Sequence, residues 1–108
     1  MGGATTVKRP EGIDPPVPPP AFEGEISGFL AWTQLERGLA DNTTSSYERD
    51  LAQCACFLAK EGARDWRTVQ ADDVSAWVAN LTKGGYAVSS LSRKLSAVRM
   101  LARYLVAE

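Results

Sequence analysis

The chain has no histidine, only two cysteines, and no proline beyond position 20. Each scarcity excludes something. Without histidine the usual general base at neutral pH is missing, so neither a Ser/His/Asp nor a Cys/His arrangement can be assembled. Imidazole ligands for a metal are missing as well. Cys54 and Cys56 lie two apart in a predicted helix, point to different faces, and are poorly placed to pair with each other. They read as small reduced side chains of a cytoplasmic protein. No Gly-rich phosphate loop occurs, and the carboxylates are spread over predicted helix surfaces. No catalytic constellation is expected, and no cofactor or metal. No apolar run approaches the roughly 18–20 residues that span a bilayer, and the N-terminus lacks the apolar stretch of a signal peptide. No membrane partner is expected.

What is present is helical periodicity. The last twenty residues, Ser89–Glu108, read as one amphipathic helix. At about 100° per residue, Leu91, Leu95, Val98, Ala102 and Leu105 form one stripe, which is expected to face the core. Ser89, Ser92, Arg93, Ser96, Arg99 and Arg103 take the opposite arc, with Lys94 at the flank. This segment holds four basic residues and one acidic one, whereas the rest of the chain holds eight basic and twelve acidic. A pI of about 5.5 argues against an unstructured polybasic binder. It leaves room for a folded domain with one positive face. Guanidinium groups and small hydroxyls suit phosphate oxygens and base edges. The plainer reading is a solvated helix face whose cations favour the helix C-terminus.

The remaining elements follow from the N-terminus. All six prolines lie in residues 1–21, a stretch that favours extended backbone and is poor in large apolar residues. It reads as a disordered Pro-rich tail, with a flexible leader favoured over a ligand for a proline-reading domain. Met1-Gly2 with Thr6 fits a short myristoylation pattern that nothing else supports. A first helix is predicted over Phe22–Arg37, with Ile26, Phe29, Leu30, Thr33 and Arg37 on one side and Trp32 and Leu35 broadening it. Gly38 is its stop. A second runs over Thr43–Lys60, capped by Asp41 or Asn42, or by a Ser45/Glu48 box. Its core stripe is Tyr47, Leu51, Cys54 and Leu58, broadened by Phe57; Ser46, Arg49, Gln53 and Lys60 lie opposite. Trp66 and Val69 tuck in from a connector. A third helix spans Asp72–Lys83, with Val74, Trp77, Val78 and Leu81 buried, and Gly84-Gly85 breaks it. Gly38-Leu39-Ala40 before the second helix is echoed by Gly85-Tyr86-Ala87 before the fourth, which pairs those two helices in function. No strand or hairpin signal appears. The expectation is an all-α domain of four helices over residues 22–108.

Two runs resemble a known family. In FLAWTQLERGLADNTTSSYERDLAQCACFL the relevant residues are Glu36-Arg37-Gly38-Leu39, Asn42-Thr43, Tyr47, Asp50-Leu51 and Phe57-Leu58. In DDVSAWVANLTKGGYAVSSLSRKLSAVRMLARYL they are Ser90, Arg93, Leu95, Ser96, Ala97, Val98 and Arg99. Both resemble the core-binding, SAM-like N-terminal domain of Xer-type tyrosine recombinases and phage integrases, in order and at family spacing, over about Phe22–Glu108. Ala40 and Ala87 depart from the family, which often has serine there, and Cys54 stands where an aromatic is common.

The resemblance implies a SAM-like orthogonal bundle of two helical hairpins that grips one face of duplex DNA for recombination and integration. It implies that a separate C-terminal catalytic domain, absent from this sequence, grips the other face, and that the recombinase works as a tetramer on DNA. Two helices lie against the major groove in that family, matching the second and fourth here. The DNA-contacting residues expected are Thr43, Ser46, Arg49, Ser89, Ser90, Arg93, Lys94 and Arg99. Tyr47, Leu51, Leu95, Val98 and Leu105 are expected to hold the two helices together. The alternative is a helical SAM-like protein-interaction module whose polar faces are merely solvated.

Overall fold

The computed structural model describes residues 16–107; the myristoylation pattern and most of the Pro-rich tail lie outside the described residues. Four helices follow one another: α1 (Pro20–Glu36), α2 (Asp41–Lys60), α3 (Ala71–Lys83) and α4 (Val88–Ala107), with a short 3-10 turn at Trp66–Thr68. The described residues contain no strand. The all-α reading and the number of helices hold.

Helix α1 starts at Pro20, inside the stretch read as tail. Proline is tolerated in a first helical turn because its missing N–H would lack an intrahelical partner anyway. The helix buries Phe22, Ile26, Phe29 and Thr33. Leu35, expected to broaden that face, is 83% exposed. Gly38 takes φ 63°, a left-handed conformation that suits glycine and turns the chain into α2. Helix α2 starts at Asp41, with Ala40 at its N-cap and no side-chain cap bond. The caps expected from Asp41, Asn42 and Ser45 are therefore not formed, because these residues lie within the helix. Asp41 instead accepts a hydrogen bond from Gln34 Nε2 of α1 at 3.1 Å.

The connector is built by local hydrogen bonds. The Thr68 N–H donates to Asp65 Oδ1 at 3.1 Å, and the Gln70 N–H donates to Asp73 Oδ2 at 2.8 Å. These satisfy orphan N–H groups at the 3-10 turn and at the start of α3. The turn is fastened to α1 from inside: Trp66 Nε1 donates to the Phe22 carbonyl at 3.0 Å. The two rings meet edge to face at 5.2 Å, a favoured aromatic geometry.

The core is one cluster. Phe22, Ile26 and Phe29 of α1 meet Leu51, Cys54, Ala55 and Leu58 of α2, Trp66 of the 3-10 turn, Trp77 and Leu81 of α3, and Ala97 and Leu101 of α4. Helix α4 is turned by roughly a quarter-turn from the face expected of it. Its buried residues are Lys94, Ala97 and Leu101. Of the expected stripe, Leu91, Val98 and Leu105 pack at the core margin and Ala102 is exposed. Two compositional features hide this rotation: Ala97 is too small to mark a stripe, and Lys94 is a charge at a core position. Tyr104 also packs inward, 5.9 Å from Phe29 and 5.6 Å from Trp32 between ring centroids. The outer part of the apolar arc, Leu95 and Ala102, instead lines an open groove.

Candidate nucleic-acid interface

Helices α2 and α4 are joined by a polar network at the edge of the core. Asp50 lies one turn before Cys54 of α2 and its side chain is 1% exposed. Burying a carboxylate is expensive unless it is paired and hydrogen-bonded. Asp50 meets that condition with two cations from α4. Arg93 donates to it through Nε at 2.8 Å and Nη2 at 2.9 Å, a bidentate fork. Lys94 Nζ donates to Asp50 Oδ1 at 2.9 Å and to Gln53 Oε1 at 2.7 Å. The same ammonium sits 5.2 Å from the centroid of the Tyr86 ring, within cation–π range. Gln53 Nε2 donates to the Tyr86 hydroxyl at 2.9 Å, so the loop entering α4 is tied in as well.

The eight expected DNA-contacting residues fall into three groups. Thr43, Ser46 and Arg49 occupy the first half of α2, and Ser89, Ser90 and Arg93 the first turns of α4; the Asp50–Arg93 pair bridges these two half-helices. Ser89 is exposed, and Thr43, Ser46, Arg49, Ser90 and Arg93 are part-exposed. The Nε of Arg49 is out of solvent and has no hydrogen-bond partner, which leaves a guanidinium donor unsatisfied within the protein.

Lys94 is the first exception. It is 2% exposed, and its ammonium is held by Asp50 and Gln53. This inward ion pair corrects the expectation of a phosphate contact. Arg99 is the second. Six residues beyond Arg93, it is rotated about 120° around α4 and lines the groove with Trp66, Val69, Val74, Val98 and Leu105. That groove has a volume of about 390 Å³ and runs along the side of α4 nearest α3. Asp50, Gln53 and Tyr86 were assigned no role from the sequence. The available signal was the position of Asp50 one residue before Leu51 and four before Cys54, at the margin of a core stripe.

Neither thiol is activated. Burial pushes the Cys54 thiol up from 9.0 to about 12. Cys56 is also raised by burial, partly offset by Lys60, and its thiol donates to the Val17 carbonyl at 3.3 Å. Thiolates are the reactive form, so both are held away from nucleophilic chemistry. Among the described residues no group of three His, Cys, Asp or Glu could hold a metal, and no helix is long and apolar enough to cross a membrane.

Residues 26–108 match the phage integrase N-terminal SAM-like domain, and the chain belongs to that family. It is similar to the tyrosine recombinase XerD of Agrobacterium fabrum, with 40% identity over 83 residues, covering 77% of this chain and 25% of the relative. It is similar to XerD of Rhizobium meliloti at 39% identity, covering 77% of this chain and 26% of that protein. It also resembles the tyrosine recombinase XerC of Herpetosiphon aurantiacus at 33% identity, covering 78% and 28%. The chain therefore spans about a quarter of the length of the curated relatives it matches. No solved structure matches it.

Proposed function

We propose that the first halves of α2 and α4 form a duplex-DNA interface, and that the chain is the DNA-gripping domain of a site-specific tyrosine recombinase. The observation that carries this reading is the joining of the two half-helices bearing Thr43, Ser46, Arg49, Ser89, Ser90 and Arg93 through the buried Asp50 carboxylate. Arg49 and Arg93 serve as phosphate contacts, which position a protein on the duplex without reading its sequence. The hydroxyls stand beside backbone N–H groups of the first helical turns, a favourable setting for phosphate oxygens. Strand breakage and rejoining, on this reading, belong to the part of such recombinases that this chain does not span, and the chain itself is non-catalytic. The complete protein acts in the cytoplasm, with its catalytic domain on the opposite face of the duplex and as a tetramer on the recombination site.

Lys94 and Arg99 take different parts from those of the surface contacts. Lys94 supports the face from beneath, and Arg99 adds positive field from the flank.

The test is a salt series of binding to a mixed-sequence duplex. Two principal phosphate contacts give a slope of log affinity against log salt near −2. Affinity should be weak, on the order of 0.1 mM at physiological salt. The double variant Arg49→Ala/Arg93→Ala should lose most of it while keeping its helical circular dichroism. Absence of binding at low salt would refute the reading. The apolar groove on α4 favours a second reading, a helical protein-interaction module, under which duplex binding is absent and the first halves of α2 and α4 are solvated surface.

A further inference from the structure

In the buried Asp50 network one carboxylate holds two cations of very different exposure. The Lys94 side chain is 3% exposed and that of Arg93 is 38% exposed. Of the two cations, Arg93 is therefore the one that solvent reaches.

A free arginine samples many rotamers, and fixing it on a phosphate costs conformational entropy. Here two hydrogen bonds at 2.8 and 2.9 Å from a buried acceptor already hold the guanidinium. The acceptor is itself held by Lys94, and Lys94 by Gln53, which also bonds Tyr86 in the loop entering α4. One network thus orients Arg93 and secures the helix start that carries Ser89 and Ser90. From this we infer that Asp50 is a positioning residue for DNA binding, acting through Arg93, although its own charge repels phosphate. The inference rests on the DNA-binding reading proposed above.

Positioning and simple charge counting rank variants in opposite orders. Lys94→Met removes one positive charge and leaves the Asp50–Arg93 fork intact. Positioning therefore makes its loss of affinity smaller than that of a variant without the Asp50 carboxylate, whereas charge counting makes it the larger of the two. Asp50→Asn/Lys94→Met restores the original net charge without leaving a buried ammonium unpaired. Charge counting then gives unchanged affinity. Positioning gives a loss of about tenfold and a salt slope reduced by about one, as for Arg93→Ala.

The experiment is fluorescence anisotropy of a labelled mixed-sequence duplex titrated with the 108-residue chain and these variants, from about 50 to 200 mM salt. Circular dichroism checks each fold. If the double variant does not fold, Asp50→Glu decides the matter. It keeps the charge and moves the carboxylate out by one methylene, so positioning requires a loss and charge counting none. A double variant, or Asp50→Glu, that binds like the original chain overturns the role of Asp50 while leaving the DNA-binding reading intact. Failure of the original chain to bind at low salt overturns both.

Discussion

Removing Asp50 should be much more damaging than removing Lys94, although the two form one ion pair. The asymmetry follows from what each deletion leaves behind. In Asp50→Ala the Lys94 ammonium, 3% exposed, keeps only the Gln53 amide oxygen and the Tyr86 ring. Breaking a buried pair so that a charge is left uncompensated costs about 3–5 kcal/mol. In Lys94→Met the Asp50 carboxylate keeps both hydrogen bonds from Arg93, and the methionine retains most of the aliphatic packing. The loss is then one charge-assisted bond less the relief of an ammonium's desolvation, about 1 kcal/mol. A domain of this size has a total stability of about 5–14 kcal/mol, and each 1 kcal/mol moves Tm by about 4–8 °C. Lys94→Met should therefore melt a few degrees low, while Asp50→Ala should lose about 15–30 °C or fail to fold at room temperature. Urea unfolding followed by circular dichroism gives both values. The difference should persist at high salt, because buried pairs are weakly screened. Equal losses, or a loss below about 1 kcal/mol for Asp50→Ala, would show that the carboxylate does not hold the network.

Other expectations concern the packing and the thiols. Phe29→Ala should cost about 3–5 kcal/mol, because Phe29 is fully buried and its ring touches Trp32 and Tyr104. Leu35→Ala, at an 83% exposed position, should stay within about 0.5 kcal/mol; both are read by urea unfolding. Gly28→Ala would bring a Cβ to 2.6 Å from the Tyr104 hydroxyl, so the end of that side chain must shift; this opposes the roughly 0.5–1 kcal/mol that alanine gains over glycine inside a helix, and Tm should change by only a few degrees. The Cys54 thiol, raised in the folded state to about 12, favours folding fully below pH 9. That contribution is lost as pH rises toward 12, at up to about 1.4 kcal/mol per unit. Urea midpoints above pH 9 should therefore fall less in Cys54→Ala than in the original chain. Arg99→Ala should weaken duplex binding less than Arg93→Ala, since Arg99 faces the groove; an equal loss by anisotropy would place the DNA across the α3 side of α4.

The helices were legible because their apolar spacing and glycine stops agree with each other. Gly38 and Gly84-Gly85 end elements where the periodicity stops. Leu51, Cys54 and Leu58 of α2 lie in the core as their stripe required. The face of α4 was not legible, because periodicity scores size and polarity. Ala97 is buried yet small, and Lys94 is buried yet charged, so the stripe pointed at Leu95 and Ala102 and missed Leu101. The pairing of α2 with α4 was legible, and six of the eight residues named on them lie at least partly exposed on the two half-helices that Asp50 joins. The inward turn of Lys94 depends on Asp50 lying 44 positions away in sequence, and no local pattern carries that pairing. The same rotation of α4 separates Arg99 from Arg93. Leu35 failed for a different reason: it lies near the end of α1, with no element covering its side.

The location of the interface is tested most directly by amide chemical-shift mapping of the isotope-labelled chain titrated with duplex DNA at low salt. The expected result is a set of shifts concentrated at Thr43–Arg49 and Ser89–Arg93, growing with DNA and reversed by added salt. Shifts centred instead on Val69, Val74 and Leu105 along the groove, or no shifts at any DNA concentration, would contradict it.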